Sequence, residues 1–163
     1  MNGSYESDDT QTQTYADKGF LQTAFTSKAQ TKIATTTVDN SAASTTDAEG
    51  NITQATSYAC DKTSDKIFLL SEKEVTTTDY GFAAYNSYGT GNARIRVTTD
   101  YAKANYACQN TTSGYGGDWW LRSPDNFGSD YTSNVNYSGE ANCAYSIVYI
   151  SVGVVPALTI SLE

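Results

Sequence analysis

The hexapeptide Trp119-Trp120-Leu121-Arg122-Ser123-Pro124 constrains the fold more than any other stretch of the chain. It holds the only two tryptophans, and Gly153-Val154-Val155-Pro156-Ala157-Leu158 follows it about thirty residues later. Adjacent residues of a strand point to opposite faces, so at most one indole is easily displayed and core packing is expected for at least one. Arg122 suits a ligand carboxylate or, the better fit, a buried or half-buried pair that fixes a loop. Pro124 stops the strand, and Ser123 has no base beside it that would make it a nucleophile. Trp119, Trp120, Arg122, Pro124 and Pro156 are therefore read as scaffold.

At 163 residues the chain has the length of one domain with a real core. Its hydrophobic fraction of 39% is low and leans on Tyr and Ala, so burial is expected to come largely from aromatic side chains. The net charge of −8 opposes binding to nucleic acid or to anionic membranes, which needs a basic face. No apolar run approaches the length of a membrane span, and no basic-then-apolar signal segment opens the chain. Histidine is absent, which excludes Ser-His-Asp and Cys-His hydrolases and removes the commonest zinc ligand. The three cysteines, Cys60, Cys108 and Cys143, form no CxxC pair. Either they are small buried side chains, or one disulfide, with Cys60–Cys108 as a guess, leaves one free thiol.

Residues 1–14 form a polar arm. Phe20, Leu21, Ala24, Phe25, Ala29 and Ile33 recur at helical spacing, and Thr26 caps a second short helix. Ala34 to Val38 suits a strand or an extended lead-out. Residues 39–58 carry hardly any apolar anchor and read as a long surface loop turning at Glu49-Gly50-Asn51. The dense apolar run Asp65 to Ser71 predicts a buried strand. Ser71-Glu72-Lys73-Glu74 has the form of a capping box and predicts a short helix through Val75. Residues 79–92 read as loop, Thr99 or Asp100 caps another helix, and Gly114 to Gly117 is a flexible turn. After Pro124, the segments Tyr131–Tyr137, Ala141–Tyr145, Ile147–Val152 and Val154–Leu162 predict a β meander with a hairpin turn at Ser138-Gly139. The fold class is α+β, with two or three short helices packed on a small, mostly antiparallel sheet with long loops.

The order of these blocks carries a resemblance. Phe20-Leu21, Ala24-Phe25, Ile33, Val38-Asp39-Asn40, the Asp65–Ser71 run with Glu74, Tyr101-Ala102, the tryptophan hexapeptide and Gly153…Pro156-Ala157-Leu158 resemble a bacterial family of unknown function. That family is common in gut Firmicutes and their surface proteins and carries WWLRSP and GVRPAL blocks. The likeness covers roughly residues 15–162, read as one domain. It implies a C-type-lectin-like fold, similar to formylglycine-generating enzymes and retroelement-diversified receptors, with a ligand site on loops before the last strand. Family members usually open with a further strand before the helix at residues 15–25. This chain starts after that position, which implies a fragment or a strand contributed by another chain. Val155 stands where the family block usually has arginine, which removes an ion pair that would pin the C-terminal strand.

The resemblance assigns display to residues 125–152. Tyr131, Asn136, Tyr137, Asn142, Tyr145, Tyr149 and Ser151 have the composition of a paratope, where tyrosine supplies contact area at low entropy cost. The same tyrosines would equally coat a sheet. Asn126 and Asp130 join the candidate ligand-binding set. Asp125, Asn126, Asp130 and Asn134 supply hard oxygens that suit calcium, but their spacing matches no EF-hand loop and a solvated turn is the simpler reading. In retroelement-diversified receptors, adenine-directed mutagenesis yields this same residue mixture, so the resemblance implies a possible diversified display region. Formylglycine-type chemistry would need paired reactive thiols; Cys108 and Cys143 lie in no matching motif and have no flanking basic group. The expectation is a non-catalytic extracellular or cell-surface module that binds a glycan or protein. It uses no cofactor and no metal, binds no nucleic acid and does not insert into membranes. The alternative is a structural subunit of a surface fibre, assembled by strand addition at an unpaired sheet edge.

Overall fold

The computed structural model describes residues 19–50, 56–125, 128–141 and 146–162. Along them run α1 (Phe20–Ala24), α2 (Ser27–Gln30), β1 (Ile33–Ala34), β2 (Thr36–Val38), β3 (Thr63–Asp65), α3 (Glu72–Thr76), α4 (Asp100–Ala104), β4 (Trp119–Pro124), β5 (Tyr131–Val135), β6 (Ser146–Ile147) and β7 (Thr159–Ile160). Short 3-10 turns lie at Ala42–Thr45, Thr56–Tyr58 and Thr78–Tyr80. The protein is thus a small α+β structure of short helices and short antiparallel sheets, as the sequence pattern predicted. Helices of four or five residues cannot nucleate alone, so their caps matter. Thr26 Oγ1 accepts from Ala29 N at 3.3 Å, and Thr99 Oγ1 accepts from Ala102 N at 3.2 Å. Ser71 and Glu74 complete the predicted capping box reciprocally, at 3.2 and 2.7 Å. None of the helices among the described residues is long and apolar enough to cross a membrane.

The chain divides into two compact units. In the first, residues 19–38, 62–68 and 156–162, β1 pairs antiparallel with β7 (Ile33 opposite Ile160), and β2 pairs antiparallel with β3 (Val38 opposite Thr63). Leu21, Ile33 and Ile67 form its core, with Phe25 and Leu158 against them. The run Asp65 to Ser71 is not the strand expected. Ile67 is buried, but beyond Asp65, which ends β3, the run makes a single bridge, in which Phe68 N donates to Ala157 O at 3.1 Å and Ala157 N to Phe68 O at 2.8 Å. Pro156 is exposed and only leads the chain into that bridge.

The second unit holds, of the described residues, 39–50, 56–61, 69–125, 128–141 and 146–155. Its sheet has the order β4-β5-β6, antiparallel throughout, with Trp119 opposite Val135 and Tyr131 opposite Ile147. Burial alternates along β4 as a strand requires: Trp119, Leu121 and Ser123 are buried, while Trp120, Arg122 and Pro124 are half-buried. Trp119 packs with Val75, Leu121, Val135 and Ala141, and its indole Nε1 donates to Arg94 O at 3.0 Å. The two sequence blocks meet here, because Trp120 N donates to Gly153 O and Gly153 N to Asp118 O, both at 2.9 Å. Val155 packs against the Trp119 cluster. The expected hairpin is present: Gly139 N donates to Asn136 O at 2.9 Å, and Val135 faces Ala141. Of the expected strand Ile147–Val152, only Ile147 is in a strand, in β6 with Ser146, and a turn follows.

Two expectations about the core are overturned. Among the described residues, the nine buried apolar side chains include one aromatic, Trp119, while eleven buried side chains are polar or charged. Residues 39–50 are also not a loop lying free on the surface, because Ser44, Thr45 and Asp47 are buried. Hydrogen bonds hold that segment where no apolar anchor exists. Ser123 Oγ donates to Ser44 O at 3.1 Å and accepts from Glu72 N at 2.9 Å, and Ala48 N donates to Thr76 Oγ1 at 2.8 Å. Burying polar groups costs least where they are paired, as Ser44, Ser123 and Thr76 are here.

Candidate functional site

Arg122 pairs with Glu74, and its guanidinium also donates to Leu69 O at 2.7 Å and Asp39 O at 3.2 Å. This is the loop-fixing arrangement, and it leaves little of the fork for a ligand. Ser123 is fully buried in the polar network described above.

The described candidate ligand-binding residues are spread over both ends of β5 and the turns beyond it. Asn126, Asn142 and Tyr145 lie outside the described residues. Asp130 and Tyr131 sit at one end of β5, with Tyr149 in the turn after Tyr131's partner strand. Asn136 and Tyr137 follow the other end of β5, whose five residues span about 14 Å at 3.4 Å per residue. Asn136 is consumed by the hairpin. Its Oδ1 accepts from Ser138 N, Ser138 Oγ and Glu140 N, and its Nδ2 donates to Glu140 at 3.0 Å. Ser151 is exposed, and its carbonyl accepts from Cys108 N at 3.1 Å. Cys60 and Cys108 are both exposed free thiols, so the guessed disulfide between them is not formed. Each backbone is tied to a different segment, Cys60 N to Asn40 O and Cys108 N to Ser151 O. Burial raises the Cys108 thiol pKa, with the Asp118 charge adding to the shift, which opposes nucleophilic use.

The solvated turn expected at residues 125–134 is also corrected, because Asp125 and Asn134 are buried. Asp125 lies close enough to Glu72 for its charge, with that of Asp47, to act on the Glu72 carboxyl. Glu72 lies on α3 with no exposed surface; Ser133 Oγ donates to its Oε2 at 3.4 Å, and no described group hydrogen-bonds its Oε1. Burial pushes the Glu72 carboxyl up to about 8, with the charges of Asp47 and Asp125 adding to the shift and the Ser133 hydroxyl opposing it. Glu72 is therefore a neutral acid at pH 7. Among the described residues, no group of three or more His, Cys, Asp or Glu side chains is arranged to hold a metal ion.

A groove of about 250 Å³ opens beside Tyr137, lined by Val97, Lys103, Gln109, Asn110, Tyr115 and Gly116 among others. None of these residues stands out in the sequence, where they read as a helix, a linker and a turn. Their floor is a close approach of backbones. Gly116 N donates to Tyr137 O, Gly117 N to Arg96 O and Asn110 N to Gly116 O, each at 2.9 Å. A Cβ on Gly116 would lie 2.2 Å from Arg96 O, and one on Gly117 2.3 Å from Cys108 O, so both positions require glycine. Tyr115 and Tyr137 meet edge to face, with ring centroids 5.6 Å apart. Of the predicted display set, Tyr137 reaches this groove through its ring contact with Tyr115.

Arg94 is the second feature the sequence did not announce. It is fully buried, and its guanidinium donates to carbonyls of Val75, Ala83, Ala84, Tyr85, Ser87 and Gly139. A tyrosine- and glycine-rich loop is thereby fixed without regular structure. Around this frame seven described tyrosines are exposed: Tyr58, Tyr80, Tyr88, Tyr101, Tyr106, Tyr137 and Tyr149. None of the seven lies in a strand.

A family model for a domain of unknown function (DUF6273) matches residues 2–162, and the chain belongs to that family. No curated protein and no solved structure matches the chain.

Proposed function

We propose that the chain is a non-catalytic, extracellular ligand-binding or adhesion module of C-type-lectin-like fold, presenting a tyrosine-rich surface to a glycan or protein. One observation carries this reading: the exposed tyrosines sit on turns and short helices, not on strands. Tyrosines that merely coated a sheet would follow its alternation. Tyrosines held out on fixed loops give large, rigid contact area at low entropy cost. The groove beside Tyr137 and the turn at Tyr149 are the parts of this surface assigned to the ligand, and the extracellular setting rests on the resemblance to surface-protein families. A glycan array and a protein pull-down with the parent chain, Tyr137→Ala and Tyr149→Ala test it. Binding lost in either variant, with urea stability unchanged, supports the reading. Binding unaffected by both substitutions refutes the assigned surface.

The fibre reading retains one favourable observation. Both residues of β7 are exposed, with Ile160 at 59%, and an exposed apolar strand edge invites addition of another strand. Concentration-dependent assembly abolished by Ile160→Lys would support it, and a monomer at all concentrations would remove it.

A further inference from the structure

We propose that the groove lined by Lys103 and Tyr115 takes an acidic saccharide, with its sugar ring against Tyr115 and its carboxylate on Lys103. This rests on the reading of the chain as a binding module and names its ligand class.

The charge of the lining is the first argument. The chain carries eighteen acidic and ten basic residues, yet the lining contains a lysine and no carboxylate. Lys103 Nζ lies 3.3 Å from Asp100, whose side chain is fully exposed. A solvated pair of this kind is weak, so a ligand carboxylate displaces it readily. Hydrogen-bonding capacity points the same way. Asn110 Oδ1 accepts from Thr112 N at 2.8 Å, which leaves the N–H donors as the amide's free capacity. Ammonium, amide and phenol together offer donors, and they call for a ligand rich in acceptors.

The apolar side of the lining selects a saccharide among carboxylates. Val97 and the Tyr115 ring, braced by Tyr137, give a flat wall suited to the C–H face of a sugar. The space of about 250 Å³ is smaller than the sites of drug-sized ligands and suits a sugar ring.

Backbone strain adds an independent mark. Tyr106, in the segment joining Lys103 to Gln109, has a φ of +63° and is the only described residue other than glycine with positive φ. It ends α4 in the left-handed position where glycine is usual, and Ala107 N closes the motif on Ala102 O at 2.9 Å. The ring it carries is 86% exposed.

Calorimetric titration of the whole chain with a glucuronic-acid disaccharide, its methyl ester and sodium acetate tests this. The acid should bind at least about tenfold tighter than the ester, as loss of a charged hydrogen bond implies. Lys103→Gln should erase that preference, Lys103→Arg should keep it, and Tyr106→Gly should weaken both sugars. Equal binding of acid and ester, a preference that survives Lys103→Gln, or acetate binding as tightly as the disaccharide overturns the proposal. If the acid fails while a neutral glycan or protein binds through Tyr137 or Tyr149, the ligand class falls and the module reading stands. If no array or pull-down ligand binds at all, both fall.

Discussion

Glu72 makes the stability of the second unit depend on pH in an unusual direction. Its carboxyl is sealed from solvent beside Asp47 and Asp125, and burial raises its pKa from 4.5 to about 8. A raised carboxyl binds its proton more tightly in the folded state, so its stabilising contribution is fully present below pH 4.5. Between pH 4.5 and 8 the unfolded carboxyl ionises while the folded one remains protonated, and stability is lost. That window, at about 1.4 kcal/mol per unit, gives a loss of about 5 kcal/mol. This is a large share of a typical domain's stability of about 5–15 kcal/mol. Asp118, also raised by burial, adds a loss in the same direction. Glu72→Gln removes the titrating group while keeping an oxygen for Ser133. The variant should match the parent within about 1 kcal/mol at pH 4.5 and exceed it by about 4 kcal/mol at pH 8. Urea denaturation followed by tryptophan fluorescence between these pH values reads the effect directly, since both tryptophans lie in this unit. A parent profile that stays flat or rises with pH, or a variant with the parent's slope, would refute the reasoning.

Three further substitutions test the frame. Arg94→Met strands the carbonyls of residues 83–87 and should cost at least about 3 kcal/mol, with proteolysis of residues 79–92 in the folded protein as a second readout. Ser71→Ala removes the capping-box hydroxyl and should cost about 1 kcal/mol in urea. Tyr106→Gly relieves the left-handed strain and should stabilise by about 1 kcal/mol, read as a higher melting temperature.

What was legible in the sequence was local. Thr26, Ser71 and Thr99 cap helices because their partners lie three residues on, and alternation in β4 follows from strand geometry alone. The hairpin at Ser138-Gly139 is likewise written in its own turn residues. What was not legible depends on contacts distant along the chain. Ser123 and Ser44 are seventy-nine residues apart, and nothing in either serine's neighbours marks them as a buried pair. The groove is hidden for the same reason. Its floor needs Gly116 and Gly117 against residues 96, 108 and 137, so its glycines read in sequence as flexibility when they mark close approach.

The expected aromatic core failed for a reason that bears on function. A chain with few aliphatic residues would gain most by burying tyrosines, whose area is large. Instead Trp119 alone fills the centre of the second unit, and serines, threonines, carboxylates and Arg94 fill space around it. That arrangement forfeits apolar burial worth about 25 cal/mol per Å² and introduces Glu72, whose raised pKa costs the fold stability between pH 4.5 and 8. Folding stability alone does not account for holding seven tyrosines in solvent against that cost. A contact surface of the kind proposed would account for it, and also for Tyr106, where a side chain is kept in a conformation that glycine would adopt without strain.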